Sequence, residues 1–207
     1  MPAPAKLKNV THRAALPYVD MPAFLTKLGN SPALSARSLL LQILTATRPG
    51  EAIGALWEEF DLTAGVWTIP GERMKAKRDH RAPLPPRLLT MLKNWPGEHA
   101  GLLFPGKGEA PMTTAAPLKV LKSLAPGISA HGFRSTFRDW AADQTGYPRD
   151  VAEAALAHAL KDKTEAAYRR SDLFEKRAKL MADWERHCYS TPAKGGNVTP
   201  IKRSRSG

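Results

Sequence analysis

Cysteine is almost missing from this chain, with Cys188 as the only one. That excludes an internal disulfide framework and a cysteine-rich metal site, and it suits a reducing, intracellular setting. Acidic residues are also scarce: 19 Asp and Glu face 31 Lys and Arg, a net charge of +12 and a pI near 10.0. A soluble core with that excess points to a polyanionic partner, nucleic acid before a membrane. No apolar run approaches the roughly 20 residues that a membrane span needs. The N-terminal "MPAPAKLKNVTHRAALP" lacks the apolar stretch of a secretory signal, so the cytoplasm is the expected location.

Chemical motifs are missing as well. None of the six histidines (His12, His80, His99, His131, His158, His187) forms an H-E-x-x-H pair. No D-x-D or Cys/His cluster accompanies them, and there is no GxxxxGK[ST] phosphate loop. Metal-dependent and nucleotide-dependent chemistry are poorly supported, and no cofactor is expected. Cys188 lies in the last helical segment beside the tail, which makes a cysteine nucleophile a poor candidate.

What the sequence does hold is a chain of 207 residues, 43% hydrophobic, enough for one compact domain with tails. Residues 1–17 read as a linker or arm. Helical patterns follow at "MPAFLTKLG" and "SPALSARSLLLQILTAT", the latter with Ser31 as N-cap and Pro32 at the first helical position. "RPGEAIGALW" restarts a helix, with Pro49 first and Glu51 placed to return to the cap. "GVWTIP" and "RAPLP" read as strands around a basic turn, "GERMKAKRDH". Further helices are expected at "PRLLTMLKNW", "TTAAPLKVLKSLA", 131–145, "PRDVAEAALAHAL", "KTEAAYRRS" and "LFEKRAKLMADWERHCYS". Residues 190–207 have no acidic residue and little to bury, so a disordered basic tail is expected. The fold class is mainly α with one small antiparallel β-sheet, α+β.

The segment "HGFRSTFRDWAAD" puts Phe133, Phe137 and Trp140 on one side of a helix and His131, Arg134 and Arg138 on another. Arg48 stands at a helix start, where exposed N–H groups already favour an anion. "LAHAL" offers His158 and, ten positions on, "TEAAYRR" offers Tyr168. Taken singly, each has a plain structural explanation. Arg48 suits a capping or surface role, His158 a satisfied core histidine, Tyr168 a packing tyrosine, and Lys75 a solvated lysine.

Taken in order, the set Arg, Lys, His-x-x-Arg, His, Tyr resembles the catalytic domain of the tyrosine recombinase (phage integrase) family, the prophage and genomic-island type. The stretches that carry the resemblance are "LTATRPGEAIGALWEEFDL", "WTIPGERMKAKRDHRAPLP", "SAHGFRSTFRDWA" and "ALAHALKDKTEAAYRR", within roughly residues 16–190. H-x-x-R alone is common by chance; four stretches in order are not. The resemblance implies a tyrosine recombinase fold over 18–189. It makes Tyr168 the nucleophile, Arg48 and Arg134 the phosphate-binding arginines, and His131 and His158 the two histidines. Lys75 becomes the catalytic lysine, with Lys77 in the same turn as the alternative. Of the other tyrosines, Tyr18, Tyr147 and Tyr189 lack the matching neighbours.

The implied reaction is attack of the tyrosine hydroxyl on a DNA phosphodiester, giving a 3′-phosphotyrosine and a free 5′-hydroxyl. A 5′-hydroxyl from another strand then reverses it, with neither metal nor ATP. The implied partners are double-stranded DNA at attachment sites, further copies in a tetramer on DNA, an upstream core-binding region, and accessory directionality or DNA-bending proteins; no membrane is involved. The chain starts about where an interdomain linker is expected, so an isolated catalytic domain or a truncated reading frame is anticipated. Two other readings stay open: a non-enzymatic basic DNA-binding fragment, and a type IB topoisomerase-like enzyme.

Overall fold

A computed structural model describes residues 14–108, 110–158 and 172–191. The helices are α1 (Met21–Gly29), α2 (Leu34–Thr45), α3 (Pro49–Ile53), α4 (Pro86–Lys93), α5 (Ala115–Leu124), α6 (Gly132–Gln144), α7 (Arg149–Ala155) and α8 (Phe174–Cys188). Between α3 and α4 lies a three-stranded antiparallel sheet of β1 (Phe60–Asp61), β2 (Val66–Ile69) and β3 (His80–Pro83), in that order. Ile69 pairs with His80 and Val66 with Pro83. Among the described residues, no helix is long and apolar enough to cross a membrane.

Helix α2 is buried on nearly every side. Leu39, Leu41, Ile43 and Leu44 are inaccessible, and so are the polar Ser38, Gln42 and Thr45. Buried polar groups need partners, and these have them. Thr45 Oγ1 donates to the Leu41 carbonyl at 2.7 Å, and Gln42 Nε2 donates to the Ala130 carbonyl at 2.6 Å. The second bond fastens the residue just before His131 to the central helix. The helix begins later than the Ser31/Pro32 pattern suggests, at Leu34, with Ser31 reduced to a turn in which its Oγ accepts from the Ala33 N–H at 3.4 Å. It ends on Ala46, a non-glycine residue in the left-handed region at φ 53°.

Helix α8 packs on α1, α2, α6, α7 and β3. Trp184 anchors it: the ring contacts Phe137 (5.6 Å) and Trp140 (5.0 Å), and Nε1–H donates to the Ile43 carbonyl at 2.9 Å. Glu185, buried beside it, accepts from the Arg87 and Leu88 N–H groups at 3.0 and 3.1 Å, so the carboxylate caps α4 from another helix. The aromatic face predicted for α6 is buried as the sequence suggests. On its other side Arg134 is buried too, while Arg138 is exposed. The expected "KTEAAYRRS" helix lies outside the described residues, as does most of the basic tail.

The start of α6 is pressed against the segment before α1. Ser129 N–H donates to the Ala14 carbonyl at 3.1 Å, and Thr136 Oγ1 donates to the Leu16 carbonyl at 2.6 Å. Gly132, between His131 and Arg134, leaves no room for a side chain there: a Cβ would sit 2.3 Å from the Ala14 oxygen and 2.9 Å from Ala15 Cα. Gly132→Ala must therefore displace backbone rather than a flexible side chain. It is expected to destabilise the chain by about 1–3 kcal/mol, as read by urea unfolding, whereas Gly146→Ala, which meets nothing within 4 Å, is expected to change stability little.

Candidate active site

Arg134 is the hub. Its guanidinium is 4% exposed and reaches three partners from two other parts of the chain. One Nη1–H donates to the Ala46 carbonyl at 2.5 Å. Nη2 donates to the Leu156 carbonyl at 2.5 Å and to His158 Nε2 at 3.1 Å. Ala46 lies two residues before Arg48, and Leu156 two before His158, so one side chain holds both loops. These bonds use three of the five N–H donors that an arginine carries. Burial, and next the nearby Arg48, push the Arg134 pKa down to about 10, which still leaves it charged at neutral pH.

Arg48 opens α3, with Pro49 at the first helical position. The buried Glu51 behaves as its place in the sequence suggests. Oε2 accepts from the Arg48 backbone N–H and Oε1 from its Nη1–H, both at 2.7 Å. The carboxylate thus aims the guanidinium, which makes no other side-chain hydrogen bond among the described residues. Arg73 Nη1 donates to the Glu51 carbonyl at 3.1 Å, which fastens the base of the β2–β3 connection to α3.

His158 is held from both sides. Arginine can only donate, so Nε2 accepts from Arg134 and Nδ1 carries the proton toward Glu153 Oε2, 2.6 Å away. Burial opposes ionisation of Glu153. The His158 hydrogen bond and the charges of Arg138 (3.0 Å) and Arg149 (3.7 Å) outweigh it, so the carboxyl lies below its ordinary range.

The predicted residues thus divide. Arg48, Arg134 and His158, far apart in sequence, are brought together. His131 is the N-cap residue of α6, three positions before Arg134, and its carbonyl accepts from the Arg134 N–H at 3.1 Å. Lys75 and Lys77 are both exposed in the β2–β3 connection, and no described hydrogen bond joins either to the arginines; Lys77 Nζ instead lies 3.4 Å from the Glu72 carbonyl. Tyr168 lies outside the described residues. Among the described residues, no group of His, Cys, Asp or Glu could hold a metal ion.

Two residues of this region were missed. His80, on β3, is 8% exposed and its ring makes no hydrogen bond among the described residues. Burial first, then the charges of Arg177, Arg134 and Arg48, lower its pKa to about 3, against a small opposing effect of Asp172. Arg177, on α8, is 1% exposed, and each of its three guanidinium nitrogens donates a hydrogen bond. Both were readable: His80 alternates with the buried Ala82 across Arg81, and Arg177 shares an apolar stripe with Leu180, Met181 and Trp184.

A helical domain with a small sheet, converging arginines and a carboxylate-backed histidine defines a class of anion site suited to a phosphodiester. The Phage integrase family model matches residues 19–174, and the chain belongs to that family. It is 40% identical over 161 residues to the prophage integrase IntA of Escherichia coli K12, covering 74% of this chain and 39% of that protein. It is 30% identical to the prophage integrase IntZ of the same strain, covering 93% and 49%. The integrase of mycobacterium phage Brujita superimposes with a TM-score of 0.63 at 20% identity, over 88% of this chain and 61% of that one, which supports the fold. The chain spans less than half the length of those two curated relatives.

The His80 ring generates a pH prediction. Its folded pKa is about 3, below the ordinary 6.5, so the native ring is neutral while the unfolded one takes up a proton as pH falls. Its share of stability is present above pH 6.5 and is lost from there down toward pH 3. Between pH 7 and 4.5, His80→Gln is expected to lose about 2–3 kcal/mol less stability than the unsubstituted chain, measured by urea unfolding at both pH values.

Proposed function

We propose that this chain is the catalytic domain of a site-specific DNA recombinase that cuts and rejoins DNA through a 3′-phosphotyrosine, with Tyr168 as nucleophile. The observation that carries the reading is the convergence of Arg48, Arg134 and His158 through one buried guanidinium. The other tyrosines have other partners: Tyr18 accepts from Gln144, Tyr147 donates to Asp183, and Tyr189 lies under Arg87.

The chemistry follows from the residues. Phosphoryl transfer needs in-line alignment and neutralisation of the non-bridging oxygens. Arg48 and Arg134 supply fixed positive charge with N–H donors still available, so no metal is required. The Tyr168 oxygen attacks phosphorus, the P–O5′ bond breaks, and the electron pair leaves on the 5′-oxygen. A lysine of the basic turn, Lys75 with Lys77 as alternative, delivers the proton that this oxygen needs. His158, protonated on both ring nitrogens, donates its Nε2–H to a phosphate oxygen in place of accepting from Arg134, with Glu153 fixing the ring through Nδ1–H, and His131 takes the tyrosyl proton or holds the geometry. The 5′-hydroxyl of a partner strand reverses the step, so bond energy is kept and no ATP is consumed. The substrate is duplex DNA at attachment sites, bound by four copies together with an upstream core-binding region and accessory bending or directionality proteins.

Tyr168→Phe is expected to abolish covalent trapping on nicked attachment-site DNA, seen on a denaturing gel, while duplex binding stays within a few-fold; an adduct from this variant contradicts the assignment. An unsubstituted chain that binds DNA and forms no adduct marks a non-enzymatic binding module. Relaxation of plasmids without the site marks a topoisomerase-like enzyme. With a 5′-phosphorothiolate, whose leaving sulfur needs no proton, Lys75→Ala is expected to regain cleavage; recovery confined to Lys77→Ala moves the role there.

A further inference from the structure

Residues 159–171 carry Tyr168 and are bounded by two tethers. At one end His158 rests on Arg134. At the other, Arg177 binds Asp172 and β3 together: Nε–H donates to the Asp172 carbonyl at 2.7 Å, Nη2–H to Asp172 Oδ2 at 2.9 Å, and Nη1–H to the Arg81 carbonyl at 2.5 Å. The Arg81 side chain closes the knot, with Nη1 3.2 Å from Asp172 Oδ2 and its guanidinium 4.2 Å from the centre of the Phe174 ring.

We propose that Arg177, Asp172 and Arg81 form a positioning clamp that sets where the Tyr168 hydroxyl is delivered relative to the bound phosphate. The proposal rests on the recombinase reading above. Tyr168 is four residues from Asp172 (172 − 168) and ten from His158 (168 − 158). Four residues reach at most about 14 Å, so the Asp172 end is the shorter lever on the nucleophile. The clamp also borders the phosphate site, since the buried His80 ring feels Arg177 and Asp172 as well as Arg134 and Arg48. A guanidinium 1% exposed holding two main-chain carbonyls is a costly way to attach a helix start. It makes physical sense where a small displacement of an attacking atom has a large effect on rate.

The test separates delivery of the nucleophile from activation of the phosphate. Hydrogen peroxide, added to Tyr168→Phe protein, supplies a small nucleophile that needs no tether. Its oxygen forms the bond to phosphorus, the P–O5′ bond breaks, and the 5′-oxygen takes a proton, leaving a 3′-peroxyphosphate that water hydrolyses. Asp172→Ala and Arg81→Ala alter side chains that are 43% and 50% exposed and leave the core in place; their folding is checked by thermal unfolding. Each is expected to slow tyrosine-dependent adduct formation about tenfold or more, with DNA affinity and peroxide-dependent cleavage in the Tyr168→Phe background changed less than about threefold. Arg177→Lys is expected to slow adduct formation in the same selective way, and less than Arg177→Met.

Equal loss of both cleavage reactions overturns the clamp, because it then serves the phosphate site or the fold as a whole. Unchanged adduct formation in both exposed variants overturns it as well. An unsubstituted chain that forms no adduct removes the recombinase reading and the clamp with it, and that result differs from either of the others.

Discussion

One buried guanidinium holds the candidate active site together. Arg134 ties the end of α2 to the turn after α7 by donating to a carbonyl in each, and those carbonyls belong to segments 88 and 22 residues away. Each lies two residues before a candidate phosphate ligand. Burying a guanidinium is costly unless its donors are satisfied, and here the satisfaction itself defines the site. The backbone yields to this demand: Ala46 and Ala157 adopt positive φ of 53° and 50° beside the bonded carbonyls. Such strain in non-glycine residues persists only where surrounding contacts over-determine it.

The electrostatics are arranged for an anion. Arg48, Arg134 and Arg177 all act on the His80 ring, and two carboxylates, the buried Glu51 and the half-buried Glu153, offset part of the charge while aiming Arg48 and His158. Keeping His80 neutral avoids another cation in a low-dielectric region where like charges repel strongly. Repulsion among these clustered cations is of the kind that an entering anion relieves. Exposed lysines and arginines elsewhere, part of the net +12, add a long-range field that attracts polyanions without selecting among them.

Much of this was legible in the sequence, for identifiable reasons. Pro49 and Glu51 marked the start of α3 because fixed φ and a returning carboxylate are local requirements, and Glu51 meets its own in the structure. The strand formers in "GVWTIP" and "RAPLP" gave the sheet, and the Phe133, Phe137 and Trp140 stripe gave the buried face of α6. Two things were missed. The burial of Arg134 was not readable, because a residue with five donors was recruited inward by carbonyls that no local pattern reveals. His80 and Arg177 sat inside basic runs whose charge drew attention away from their periodicity. The start of α2 shifted because the Ser31 hydroxyl serves a turn rather than a helix end.

At the proposed site Arg48 and Arg134 neutralise one charged phosphodiester. Replacing the target phosphate of nicked attachment-site DNA with a methylphosphonate removes the charge they bind. On ordinary DNA, Arg48→Ala should lose about 10²–10³ in cleavage rate. On the methylphosphonate its rate should lie within about tenfold of the unsubstituted chain, because there is no longer a charge to neutralise. An equal loss on both substrates contradicts the account.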